Sequence, residues 1–254
     1  MMAQRLKLYT ALIALIGAVI STPSLAELDI QVGLVTAVNS TYYTDLDEEY
    51  YLLPLVIAEY DRFYLQGIHG GYRFFQDDEG QSLALEIRRT FDGYSSDDID
   101  DSDTLAGMAE RDQAWEAGLA YEVGMVGGQA KAKLMQDISD THNGFSARFE
   151  YERPFWTGDA HMFSWYAGSE YWNSKKSDYY FGVKPEEATS TRSVYTADGN
   201  YSFFLGSNLI KRINNSVTVL ASVEYIRATD AVNDSPLTNR EDQWSSYIGI
   251  FYQF

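Results

Sequence analysis

The 254-residue chain contains no cysteine, which excludes a disulfide framework and thiolate chemistry. It has only 3 histidines, His69, His142 and His161, and no pair of them stands at a zinc-ligand spacing such as His-x-x-x-His. Cations are scarce too: 19 Lys and Arg stand against 37 Asp and Glu, a formal charge of -18. No basic stripe is available to neutralise phosphates, so nucleic acid is excluded as a partner. Long apolar runs are also missing. Past the N-terminal region no segment approaches the roughly 18 apolar residues that a membrane-spanning helix needs. A role in a membrane must then come from a closed barrel of strands, in which every backbone polar group is satisfied.

What is present points that way. Met1–Ala26 reads as a secretory signal peptide: Arg5 and Lys7 give a basic start, Ala11–Ile20 an apolar stretch, and Ser24-Leu25-Ala26 a small-x-small cleavage site. Cleavage there leaves a mature chain starting at Glu27, one large β domain over 27–254. Its formal charge is about -20, since Arg5 and Lys7 leave with the signal. Aromatic residues make up 15% of the chain, with 20 Tyr and 13 Phe. That excess suits interfacial girdles, where a ring's apolar body and polar edge face different media. The last residues alternate: Trp244, Ile248, Ile250, Tyr252 and Phe254 share one strand face, and Ser245, Tyr247, Gly249 and Gln253 lie on the other. The set Ile250, Tyr252 and Phe254 resembles the C-terminal signal by which bacterial outer-membrane barrels are recognised by the barrel-assembly machinery.

The same alternation recurs along the chain. Strands are expected near Asp29–Ser40, Tyr50–Tyr60, Arg62–Gln76, Gln81–Phe91, Gln113–Met125, Gly128–Ile138, Gly144–Arg153, Ala160–Trp172, Asn200–Leu209, Ser216–Arg227 and Gln243–Phe254. In one of them Val217, Val219, Ala221, Val223 and Tyr225 oppose Ser216, Thr218, Ser222 and Glu224. A barrel with both termini on one side needs an even number, so about eleven candidates imply 12 strands, with 10 as the alternative. The Gly70-Gly71 pair is one place where the long third candidate could be split. The fold class is therefore all-β, an antiparallel transmembrane β-barrel.

Three long connections, Asp92–Asp112, Asn173–Val194 and Ala228–Asp242, contrast with short links at Met125–Gly128, Pro154–Asp159 and Lys211–Asn215. Long loops at one end and tight turns at the other are the usual barrel asymmetry. In the second loop Pro185 is placed to open a short helix. The acidic cluster Asp97, Asp98, Asp100, Asp101 and Asp103 lacks the Gly and bidentate Glu positions of a calcium loop. It reads as a solvated loop, the functional alternative being divalent-cation bridging to lipopolysaccharide phosphates.

The polar strand faces carry charges of both signs. Arg88, Lys131, Lys133 and Arg148 are expected to share the lumen with Glu86, Glu116, Glu150, Glu170 and Glu224. They read either as an ion-paired filling of a narrow barrel or as a selectivity lining for small solutes. Catalytic constellations are thin: Ser146 or Ser164 beside a histidine would be needed for a barrel hydrolase, and no spacing selects them. No enzyme activity, cofactor or metal is expected.

Residues in order along the mature chain carry a resemblance. Asp61-Arg-Phe-Tyr64 leads into Gly71-Tyr-Arg-Phe74; Ser96-Asp-Asp98 precedes Leu105-Ala-Gly-Met108 and Arg111; Tyr180-Phe-Gly-Val183, Asp234-Ser-Pro236 and the terminal strand follow. Together they resemble the MipA/OmpV family of outer-membrane proteins. The resemblance implies a barrel in contact with outer-membrane lipid and lipopolysaccharide. It also implies either an envelope scaffold joining a murein hydrolase to a murein synthase, as described for the name-giving member, or a porin-like protein. The family offers no catalytic residues to carry over.

Overall fold

The structure, a computed structural model, describes residues 28–254; the signal-peptide reading at Met1–Ala26 lies outside them. Twelve strands form the wall: β1 (Asp29–Asn39), β2 (Glu49–Tyr60), β3 (Phe63–Gln66), β4 (His69–Gln76), β5 (Ser82–Arg89), β6 (Trp115–Met125), β7 (Gly128–Asp137), β8 (Phe145–Gly158), β9 (His161–Trp172), β10 (Asn200–Arg212), β11 (Val217–Ala228) and β12 (Asp242–Gln253). Each pairs antiparallel with its neighbour in sequence, and β1 pairs with β12 from Gln31↔Gln253 to Asn39↔Ser245, which closes the barrel. Side-chain alternation matches this closure. On β12, Trp244, Ile248, Ile250 and Tyr252 are exposed on the outside, while Gly249 and Phe251 between them are buried inside. Exposed apolar side chains on the outer face with polar ones inside suit a wall that meets lipid.

The count of 12 settles the parity question, but the division falls elsewhere than at Gly70-Gly71. The third candidate breaks at Gly67-Ile68, between β3 and β4. Gly67 sits at φ +65, and a Cβ there would meet the Leu55 side chain at 3.2 Å, so the tight turn needs glycine. The link Pro154–Asp159 is not a turn. β8 runs on to Gly158 through a register shift between Pro154 and Trp156, because a bulge absorbs the missing proline N–H. β10 likewise continues to Arg212, past the Leu209 limit read from the sequence. The helix of the second long loop is α2 (Ser174–Phe181), ahead of Pro185; the Asn173 side chain caps it by accepting from the Lys176 N–H at 3.2 Å. The first long loop holds the short α1 (Ser96–Asp101), and the third holds α3 (Asp230–Asn233).

The inward glycines serve rings more than water. A Cβ at Gly206 would lie 2.2 Å from the Tyr166 ring, and one at Gly33 would lie 2.4 Å from the Phe251 ring. Small and large side chains thus interdigitate across the narrow interior.

Phe254 ends the chain with its ring 5.1 Å from that of Tyr252 and is 75% exposed. So little packing predicts that Phe254→Asp lowers the outer-membrane level of newly made protein while the urea midpoint of refolded barrel stays nearly unchanged. Unchanged membrane levels at high expression would count against a recognition role for this end.

Candidate functional site

The inner wall carries a chain of ion pairs, positioned by the period of two along β5 to β11. Arg88 reaches Glu116 at 2.7 Å and Glu170 at 3.6 Å. Arg148 reaches Glu224 at 2.8 Å, Glu150 at 3.1 Å and Glu170 at 3.5 Å. Lys131 bridges to Glu150 at 3.4 Å, and Lys133 pairs with Glu86 at 2.7 Å, where the Tyr64 hydroxyl also donates at 2.9 Å. All nine charged side chains expected in the lumen therefore lie on the inner face and meet partners there. The Arg148 guanidinium also stacks 3.6 Å from the Phe204 ring centroid.

Four members were not singled out from the sequence. Glu152, 2.9 Å from Lys131, stands on the same strand face as Arg148 and Glu150, so its position was legible. Lys176, Asp92 and His142 come from loops, where no periodicity announces an inward direction. Lys176 descends from α2, is buried, and places Nζ 2.8 Å from Glu116, 3.4 Å from Asp92 and 4.1 Å from the Trp172 ring. His142 sets Nε2 3.4 Å from Glu116. Burial pushes the Asp92 carboxyl above its usual range, nearby Glu116 and Glu170 add to the rise, and Lys176 opposes it.

Long loops fold over the mouth. Tyr43, Tyr94, Leu105, Met108, Tyr180, Phe181, Val183, Val232 and Leu237 form a buried apolar cluster. Polar pins hold it: Tyr43 donates to the Tyr180 carbonyl at 3.1 Å, Ser235 donates to the Phe181 carbonyl at 2.7 Å, and Arg192 donates to the carbonyls of Thr104, Ala106 and Glu187. Arg111 grips Glu187 through both carboxylate oxygens at 3.0 and 2.9 Å, with its guanidinium 5.8 Å from the Tyr94 ring. Burial alone would raise the Glu187 pKa. The N–H groups of Lys184 and Ala109, together with Arg111, outweigh it and hold the carboxyl below the usual range. A depressed carboxyl pKa adds stability above the ordinary carboxylate value, and that stability is lost as pH falls through the depressed one. Amide protection in the segment 105–112, taken relative to the unstructured exchange rate at each pH, should thus fall at acid pH in the wild type, and Glu187→Gln should remove most of that pH dependence. An equal acid loss of protection in both proteins would refute the role of this pair.

Between roof and network lies an upper chamber of about 250 Å³. A lower vestibule of about 400 Å³ lies beneath, and Arg148 lines both, so its ion pairs form the partition. Ser164 donates to Glu152 at 2.6 Å and Ser146 accepts from Arg88 at 3.1 Å; each hydroxyl that could have served as a nucleophile thus has a carboxylate or guanidinium partner. Among the described residues no group of three or more His, Asp or Glu side chains is arranged to hold a metal ion, the acidic α1 segment included.

The MltA-interacting protein MipA family matches residues 32–254. The chain is 30% identical to the outer membrane protein Omp26La of Vibrio anguillarum over 190 residues, 75% of this chain and 72% of that protein. It is 29% identical to the outer membrane protein OmpV of Vibrio cholerae, covering 72% and 70% of the two chains. It is 26% identical to the MltA-interacting protein of Escherichia coli, covering 90% and 92%. Among solved structures the NanC porin superposes with a TM-score of 0.48 at 9% identity, over 88% of this chain and 100% of that one.

Proposed function

This chain belongs to the MltA-interacting protein MipA family of outer-membrane β-barrels, and on that premise we propose that it is an envelope scaffold rather than an open pore. The observation that carries this reading is the filling of the lumen by paired charges. The partition is built from interleaved charges that satisfy one another, and the loop roof is packed and pinned above it. A barrel filled in this way offers its rims, not its bore, to protein partners. The relative in Escherichia coli is named for interaction with MltA; for this chain the corresponding partners are a murein hydrolase and a murein synthase. The turns at Asp61-Arg62 and Val126-Gly127, on the side where β1 begins and β12 ends, are the surfaces they would meet from the periplasm.

The direct test is capture of tagged mature protein from detergent-solubilised envelope after mild cross-linking. The expected result is enrichment of a murein hydrolase over an unrelated barrel of similar abundance, reduced when Val126 is replaced by aspartate. Equal recovery with the unrelated barrel would reject the scaffold reading. A narrow solute-binding barrel is the second reading, favoured by the upper chamber.

A further inference from the structure

The wall has one seam that backbone does not close. β2 pairs with β3 only through Ile57–Tyr60, extended by one bond from the Gly67 N–H to the Val56 carbonyl. The period of two then aims the backbone groups of Pro54, Leu52 and Tyr50 at the same edge, above the β3–β4 turn. No strand partner meets these three there among the described residues. Proline at 54 removes one donor from that edge, the kind of position where a sheet accepts proline. Lipid satisfies none of the remaining groups. Side chains fill the seam instead: the Tyr51 and Phe91 rings lie 5.4 Å apart, and the Tyr51 hydroxyl donates to the Glu49 carboxylate. The seam is in the half of the wall nearer the long loops, hence at the level of the outer leaflet.

Directly behind it is the upper chamber, whose lining includes both Glu49 and Phe91. We propose that Tyr51 and Phe91 form a lateral gate, and that the chamber takes up small hydrophobic amines from the outer leaflet. The loop cluster packs above the chamber and the Arg148 ion pairs lie beneath it, which makes the side the route that side-chain motion alone opens. A solute arriving from lipid must be largely apolar, and the rings of Tyr42, Trp172 and Phe204 receive such a body. Charge selects its head: Glu170 is held by Arg88 and Arg148, and Glu49 accepts from the Tyr51 hydroxyl, so the lining carboxylate that a cationic head meets is Asp92. Asp92 is the designated partner, because its one ion pair, 3.4 Å to Lys176, is shared with the closer Glu116 contact at 2.8 Å. The volume, about 250 Å³, equals that of roughly eight waters and suits an amine with a short tail. This inference is independent of any murein partner.

The test uses the full mature barrel in lipid nanodiscs, titrated calorimetrically with octylamine, octanol or octanoate, with empty nanodiscs as the partitioning control. Saturable binding is expected for octylamine and none for octanoate. Asp92→Asn should weaken octylamine roughly tenfold, the scale of one charge-assisted hydrogen bond. Ile226→Trp, which fills the chamber while leaving every charge in place, should abolish binding. Tyr51→Ala should speed association, followed by intrinsic fluorescence, severalfold. Heat-modifiable migration in gels confirms that each variant is folded. Octylamine uptake no different from empty nanodiscs, or binding that survives Ile226→Trp in a folded barrel, would overturn the chamber; an association rate untouched by Tyr51→Ala would overturn the gate.

Discussion

Replacing Glu116 with glutamine is expected to cost the folded barrel about 3–5 kcal/mol, because breaking a buried ion pair strands its partner charges. Glu116 is fully buried on β6 and, among the described residues, is the one carboxylate shared by Arg88 at 2.7 Å and Lys176 at 2.8 Å. Glutamine keeps the volume and part of the hydrogen bonding but leaves two cations facing each other. Glu170 at 3.6 Å from Arg88 and Asp92 at 3.4 Å from Lys176 soften the loss, which places the effect toward the lower end of that range. Arg227→Gln provides the comparison. Its pair with Glu241 is 60% and 52% exposed, so screening by water limits its worth to about 1 kcal/mol or less. Urea unfolding in lipid vesicles measures both. Similar small effects would show that water reaches Glu116 and that the partition is wet.

A second large effect is expected from a charge on the lipid face. Val223 is 51% exposed on the outer side of β11, midway along the strand between Val217 and Ala228. Val223→Arg should destabilise the barrel by about 2–4 kcal/mol, the cost of arginine near the bilayer midplane. Ser222, one residue away, faces inward, 3.4 Å from the Tyr166 hydroxyl and beside the lower vestibule. Ser222→Arg places its guanidinium near Glu224 and Glu152 and should fold nearly as well as the wild type. A one-residue slip in register exchanges the two faces, so the reverse order of effects would show that β11 is inverted.

The strands were legible because burial on two unlike sides writes a period of two into the sequence. That period also fixed which charges share the lumen, so Arg88, Arg148 and their glutamates could be chosen without coordinates. It failed where the chain stops alternating. β3 has only four residues, Phe63–Gln66, too few to show a period, and its turn rests on the single left-handed glycine Gly67 rather than on the more conspicuous Gly70-Gly71. Pro154 reads as a strand end because a bulge that tolerates proline leaves no mark in the sequence. The loop contributions were invisible for a different reason. Lys176 on a short helix looks like a solvated cation, and only the fold of α2 over the mouth turns it inward onto Glu116. The seam beside β2 was hidden as well, since Tyr51, Leu53, Leu55 and Ile57 make the inner face of that strand as apolar as its outer face.

The proposed closure of the lumen is tested most directly by reconstituting the purified barrel in planar bilayers and recording single-channel current. With Arg148 paired to Glu150, Glu170 and Glu224 beneath a packed roof, no stable large conductance is expected, and Arg148→Ala should raise whatever current is seen. A stable, large conductance from the wild-type protein would contradict the closed lumen and make this barrel a porin.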